Sequence, residues 1–521
     1  MLKKLLVKGT IYTLNPDAPR AEAVAIAGRR ILAVGTEVEL SARLGNDFEV
    51  LDVGEGCVLP GFHDSHVHLA QHGFELAQVN LSRTKTKAEG LDLVAQQAST
   101  TPEGEWLLGA GFLMGRWGVS ELHKRDLDRV APRHPVLLRS QDHHSAWANS
   151  LALERASVTA STDTPQNGEV VKDADGEPTG LLLEKALHLV WDKVPPPSTE
   201  KIQAALQRAG NHLASLGITT VHHMAYEPAS YWQQIALLAS REDYALRVWA
   251  CINQEDIERA AAIGLATGQG GEFFQIGGAK FFADGALGSL TAHMLRAYKG
   301  TDTTGMEVHG YDVLRERFPL AIKAGLVPVT HAIGDAANRA VLDALDETKA
   351  LWQPLGMRPR VEHVQHLHFD DLKRFAELGV TASMQPYHFR FDARRTRELL
   401  GDRLKTTHAW KSLLESGATL AFGSDTPVAE PDIFGSIETA LQRTSEEGEV
   451  FHGAEAISLD EALAAYTRDA AYAIGWEGRS GKLKEAFDAD LVLLSHDPHD
   501  ALEGLEVTAT MKAGRWTFQQ T

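Results

Sequence analysis

Eight short apolar runs, alternating with stretches of helical pattern, constrain the fold of this chain more than any other feature. In order they are Phe62 to His68, Thr219 to His223, Leu246 to Ala250, Ala279 to Phe282, Leu326 to His331, Arg360 to Val364, Val380 to Met384 and Thr419 to Gly423. Short strands alternating with helical stretches argue for parallel βαβ units. Helical patterns lie between consecutive runs at Tyr311 to Ala324, Ala336 to Ala350 and Phe369 to Leu378. Eight is the strand count of a TIM-like (β/α)8 barrel, so an α/β fold of that kind is expected. The gap after the first run is too long for one helix. Residues of about 75–200 are therefore expected to form an insertion, with strands of its own at Trp106 to Phe112 and Val136 to Ser140.

Both ends of the chain alternate short apolar runs with turns, as at Leu5 to Val7, Thr10 to Leu14, Ala23 to Ile26, Arg30 to Val34, Asp490 to Leu494 and Val507 to Arg515. This pattern predicts that residues 1–57 and 476–521 meet in a small β-sandwich flanking a barrel domain of residues 58–475. Pro195-Pro196-Pro197 reads as a short stiff connector.

The 521 residues, 44% hydrophobic and 23% charged, are ordinary globular composition with length for a large core. Lys and Arg total 51 against 70 Asp and Glu, giving a net charge of −19. An acidic chain without a Lys/Arg cluster argues against nucleic acid or a membrane surface as partner and leaves a small-molecule substrate. Cys57 and Cys251 are the only cysteines, so no disulfide framework is available and a reducing compartment fits. No apolar run reaches the ~18–20 residues that span a bilayer. The opening Met1-Leu2-Lys3-Lys4-Leu5-Leu6-Val7 lacks the apolar core and cleavage site of a signal peptide, so a cytoplasmic location is expected. A homodimer stays open as the assembly.

His66 and His68, in Pro60-Gly61-Phe62-His63-Asp64-Ser65-His66-Val67-His68, close the first run. A strand points residues i and i+2 to one face, so both imidazoles can reach one point in space. With 23 histidines in the chain, such a pair gains weight only from its company. That company is Lys280 in the fourth run, His331 at the end of the fifth, His363 in the sixth, and Asp425 after the eighth. Six such residues at corresponding ends of parallel strands converge on one barrel face, where imidazole and carboxylate can hold a divalent metal.

These segments resemble the amidohydrolase superfamily, and within it the YtcJ-like branch (amidohydrolase family 3) that includes N-substituted formamide deformylase. The resemblance covers nearly the whole chain. It is carried by Leu59 to His68, Ala148 to Leu153, Pro178 to Glu184, Lys280 to Gly285, Thr330 to Asp335, Glu362 to Gln365, Met384-Gln385-Pro386 and Gly423-Ser424-Asp425. One departure is Gln141-Asp142-His143-His144, where His143 replaces the glycine of an expected Asp-Gly-His. The resemblance implies that His66, His68 and Asp425 hold one ion and that His331 and His363 hold another. It places Lys280 where relatives carry an N-carboxylated lysine, a bridging carboxylate. A plain Lys280–Asp284 ion pair is the alternative, and Glu184 is the runner-up bridging ligand. One or two divalent ions per chain are expected, with zinc the first choice. Two ions about 3.5–4 Å apart can share a hydroxide nucleophile. Asp425 would then act as general base, passing the proton to the leaving nitrogen.

Other residues carry weaker expectations. His223 and His144 are candidate substrate contacts, as is Arg390, which can pair with a substrate carboxylate. His222 equally suits a packed core. His366 is an alternative to His363, and Asp64 reads as a partner orienting a histidine. Asp284 and Asp335 read as loop-capping groups. Trp106, Phe112, Met114, Trp117, Trp147, Tyr387, His388 and Phe389 either line an aromatic mouth or pack the insertion. The function expected is metal-dependent hydrolysis, by metal-bound hydroxide, of a non-peptide carbon–nitrogen bond in a linear amide or N-formyl or N-acyl amine. The rivals are a hydrolase or deaminase acting on a cyclic amide, ring amine or ester, and a noncatalytic barrel scaffold. The chain offers no convincing His-x-x-Glu for a deaminase's proton shuttle. A scaffold would have lost ligands that this chain keeps.

Overall fold

The structure is a computed structural model that describes residues 3–141 and 144–520. The departure at Asp142 and His143 lies outside the described residues. All eight expected runs are strands of one parallel sheet, and neighbours in sequence are neighbours in space. They are β1 (Phe62–Val67), β2 (Ile218–His223), β3 (Arg247–Asn253), β4 (Phe274–Phe282), β5 (Pro328–Ala332), β6 (Arg360–His363), β7 (Thr381–Met384) and β8 (Leu420–Phe422). Every residue of β1, β2, β6, β7 and β8 is buried, the polar His63, Asp64, His66, His222, Arg360 and Glu362 included, so these strands are enclosed on both faces. Hydrogen bonds from Asp425 N to His66 O (2.7 Å) and from His68 N to Thr426 O (2.9 Å) join the first strand to the chain just past the last. The sheet is thereby a nearly closed barrel.

The expected helices appear at Tyr311–Lys323 and Asp335–Trp352. The third is broken into a 3-10 turn at Phe369–Asp371 and a short helix at Arg374–Leu378. His368 makes the break local, because its Nδ1 accepts the Asp370 N–H (3.3 Å) and caps the turn.

Strands from the two chain ends lie in one seven-stranded sheet. Its order is Arg515–Gln519, Val507–Lys512, Leu491–Leu494, Glu49–Pro60, Lys4–Tyr12, Arg20–Ala27 and Arg30–Gly35. Alternate residues go to opposite faces, as period 2 requires. Val7, Val24 and Ile26 join Leu491 and Met511 in one apolar cluster, while Leu6, Ala23 and Ala25 join Leu40 and Leu44 in another. Glu49–Pro60 runs directly into β1 through Gly61. Residues 1–72 and 206–521 form one compact unit, and residues 73–205 form another.

The second unit holds a six-stranded sheet that includes Leu107–Phe112 and Val136–Ser140. Its aromatic residues are core. Phe112, Trp117 and Trp147 are buried in its larger apolar cluster, Met114 packs against that cluster, and Trp106 packs against the smaller one. The aromatic mouth is not built from these side chains. Among the described residues no helix is long and apolar enough to cross a membrane.

Candidate metal centre

The site begins with Asp64. Its Oδ1 accepts the backbone N–H groups of His66 (3.2 Å) and Ser424 (2.8 Å), and its Oδ2 accepts the Ser424 hydroxyl (2.6 Å). Asp64 thus ties β1 to the turn after β8 and orients backbone, not an imidazole ring. Gly423 permits this approach, since a Cβ there would stand 2.5 Å from His66 N and 2.8 Å from Asp64 Oδ1. The turn carries Asp425 in a left-handed conformation (φ 62°) to the histidine pair, where its Oδ1 lies 3.4 Å from Nε2 of both His66 and His68.

The sixth strand supplies the third element. His363 and Val364 both have positive φ, at 77° and 47°. That is a costly conformation for a β-branched residue, and such strain persists only where surrounding bonds hold it. Here Val364 N donates to Ala332 O (3.1 Å) and His366 N to Ile333 O (2.9 Å). The bend sets the His363 ring 4.9 Å from the His66 ring and 4.5 Å from the His331 ring, centre to centre. Ligand atoms of His66, His363 and Asp425 all lie within 4.8 Å of one another.

Each ring is oriented from behind. His66 Nδ1 donates to Glu362 Oε2 (2.8 Å), which leaves Nε2 as the lone-pair nitrogen facing Asp425. Arg360 grips Glu362 through Nε to Oε1 (2.6 Å) and Nη2 to Oε2 (3.2 Å). Gln385 Oε1 stands 2.8 Å from His363 Nδ1 and plays the same part there. Burial pushes the His66 imidazole down to about 4, and burial with the neighbouring His331 holds His363 well below the usual range. Burial opposes ionisation of Asp425 and Glu362. His66, His68 and His363 nevertheless hold the Asp425 carboxyl below the carboxylate range, and Arg360 with His66 does so for Glu362. At neutral pH the His66 and His363 imidazoles are therefore neutral and face an ionised carboxylate, the donors that suit a divalent cation.

Lys280 is buried, its Nζ has no hydrogen-bond partner among the described residues, and the Phe282 ring centre lies 5.2 Å away. Burial lowers its pKa, favouring the neutral amine. The alternative ion pair with Asp284 is absent. Asp284 instead accepts the backbone N–H groups of His293 (2.9 Å), Ile333 (3.0 Å) and Gly334 (2.7 Å) and sits 3.4 Å from His331 Nε2. Asp335 likewise accepts a backbone N–H, from Leu295 (2.8 Å).

His66, His68, Lys280, His331, His363 and Asp425 all line one cavity of about 530 Å3. Three further candidates in the unit that holds this cavity, His223, His366 and Arg390, lie outside it. His223 lines a separate cavity of about 200 Å3, with its Nε2 3.8 Å from Glu227. His366 is buried against Thr407 (3.1 Å). His144 and Glu184 pair with each other at 3.0 Å on the exposed surface of the 73–205 unit. Arg390 packs its guanidinium over the Tyr387 ring, 5.3 Å from the centroid, and does not line the cavity. Reasoning from sequence gave no role to Glu362 or Gln385 and took His388 for a mouth aromatic. His388 Nε2 lies 3.8 Å from Asp425 Oδ2. The available signal was position: Glu362 precedes a ligand, and Gln385 and His388 follow β7, which carries no ligand of its own.

Comparison with known proteins gives a consistent result. The profile of the amidohydrolase family matches residues 49–518. The putative amidohydrolase YtcJ of Bacillus subtilis (strain 168) is 32% identical over 100% of both chains. Protein LONG AFTER FAR-RED 3 of Arabidopsis thaliana is 34% identical, covering 99% of this chain and 91% of its own length. N-substituted formamide deformylase of Arthrobacter pascens is 27% identical, covering 99% and 98%. Among solved structures, an uncharacterized metal-dependent hydrolase from Pyrococcus horikoshii OT3 superposes with a TM-score of 0.79 at 26% identity, covering 96% of this chain and 99% of that one.

Proposed function

The chain belongs to the amidohydrolase family, and from that premise we propose that it is a metal-dependent hydrolase cleaving the carbon–nitrogen bond of a linear N-formyl or N-acyl amine. The observation that carries this reading is the convergence of His66, His363 and Asp425 ligand atoms within 4.8 Å, beside a buried lysine whose Nζ is unpartnered. The likeness to a formamide deformylase supports the substrate class. His66, His68, His331, His363 and Asp425 would hold one or two divalent ions, with zinc the first to try. Lys280 would join them after its neutral amine adds to carbon dioxide and loses a proton, becoming a carboxylate. A bound ion supplies Lewis acidity, polarising the carbonyl and acidifying the attacking water.

The chain's own groups do the rest. Asp425, ionised at neutral pH, would accept the proton of the attacking water and deliver it to the departing nitrogen. Glu362 and Gln385 keep the His66 and His363 rings in register. Phe282, Leu287 and Ile333 give the cavity apolar walls for the organic part of the substrate. Amine release from N-formyl and N-acyl benzylamines by zinc-loaded protein is the test, with chelated protein as control. Release that needs metal is expected, and the absence of release from every compound refutes the reading. The Lys280→Ala variant should lose metal and regain part of it with short carboxylic acids; unchanged metal content removes Lys280 from the site.

A further inference from the structure

The metal-facing cavity has a second polar wall, on the helix Pro386–Leu400. His388 and Asp392 are four residues apart, share one helix face, and both line the cavity. His388 Nε2 is 3.8 Å from Asp425 Oδ2, so Asp392 stands one turn, about 5–6 Å, further along the helix from the reacting centre. Its Oδ2 accepts a hydrogen bond from Gln365 Nε2 at 3.3 Å, an uncharged donor. Among the described residues no Lys or Arg pairs with it. Among the described residues, Lys280 is the one lysine or arginine that lines the cavity. Arg390, two residues before Asp392, turns to Tyr387 instead. A half-buried carboxylate with His388 and Gln365 as its polar neighbours, and no lysine or arginine among the described residues, is an acceptor that an ammonium donor would complete.

We infer that Asp392, with Gln365, selects the substrate: it favours amides whose nitrogen substituent ends in an ammonium group and disfavours those ending in a carboxylate. The inference rests on the hydrolase reading for the placement of the scissile bond, but not for the charge preference. A substrate ammonium would satisfy the carboxylate that burial otherwise pushes toward its protonated form. A substrate carboxylate would meet like charge and find no guanidinium.

The test uses three N-benzylformamides that differ at the para position: aminomethyl, ethyl and carboxylate. For the zinc-loaded wild-type protein, kcat/KM should be at least about tenfold higher for the ammonium compound than for the neutral one, the scale of one charge-assisted hydrogen bond, and lowest for the carboxylate. Asp392→Asn, or Asp392→Ser if the first does not fold, should bring the ammonium-to-neutral ratio near one. A folding or loading defect scales all three rates together and leaves that ratio intact. A wild-type ratio of one or below, or a ratio that survives both substitutions, overturns the inference. If no compound is turned over, the hydrolase reading falls and the same three compounds become ligands. Tighter binding of the ammonium compound to wild type alone, by calorimetry, then sustains the inference, and equal or undetectable binding overturns it.

Discussion

Glu362 decides which nitrogen of His66 faces the cavity. An ionised carboxylate can only accept, so it fixes the proton on Nδ1 and frees Nε2. Glu362→Gln retains shape but can present an N–H to the ring. Chelator competition should show metal affinity reduced about 10–100-fold, the usual effect of removing a ligand's partner. The substitution also removes the negative charge that pairs with buried Arg360, whose Nε and Nη2 both donate to this carboxylate. Denaturant titration should therefore show a loss of about 3–5 kcal/mol. Unchanged affinity would mean that the His66 ring is held by packing alone. Asp425→Asn is a different experiment on a neighbouring group. It should leave the fold intact and lower turnover at saturating metal by about 10²–10⁴-fold, the contribution of a positioned acid–base group. A fully active Asp425→Asn would remove Asp425 from proton transfer. The six candidate ligands are legible in the sequence because each stands in or just past one of the expected barrel strands. Glu362 is not, because its partner lies 296 residues away and only the folding of β6 and β1 into one barrel brings the two side chains together.

At the scale of elements, the barrel carries a hydrogen-bonded chain behind the ligands. It runs from His66 through Glu362 and Arg360 to His222 (2.9 Å from Arg360 Nη1), then His63 (3.4 Å) and Ser480 (2.9 Å). All six residues are buried. This is why His222 and His63, beside the ligands in sequence, are structural members of β2 and β1 rather than ligands. The strands themselves are readable because short strand-like segments alternate with stretches of helical pattern, eight times along the chain. The aromatic residues of the insertion were not, because composition cannot tell a pocket mouth from a core and Trp117 and Trp147 went to the core. The join between β1 and the turn after β8 depends on Gly423. Gly423→Ala would press a methyl against His66 N and Asp64 Oδ1. A destabilisation of about 1–3 kcal/mol is expected, with a matching loss of activity as Asp425 moves. Thermal melts and kcat/KM measured together check this, and a stable, active variant would show that the turn can shift freely.

For the whole molecule, the buried histidines set the response to acid. Burial holds His63, His72, His223 and His366 near 3 and His66 near 4, against 6.5 for an exposed imidazole. The unfolded chain therefore binds more protons than the folded one between about pH 6.5 and pH 3. Stability is fully present above that window and is lost as pH falls through it. Calorimetric melting of metal-free protein should show the midpoint dropping steadily from pH 7 to pH 5, and a flat profile would contradict the buried, neutral state of these rings. The metal site joins this picture, since protons and divalent ions compete for the same nitrogens. Elemental analysis of protein purified without chelator, then reconstituted with zinc or manganese, tests the central claim most directly. Between one and two ions per chain, lost on Glu362→Gln or on mild acidification, is the predicted result. Protein that binds no ion after reconstitution, while remaining folded, would contradict it.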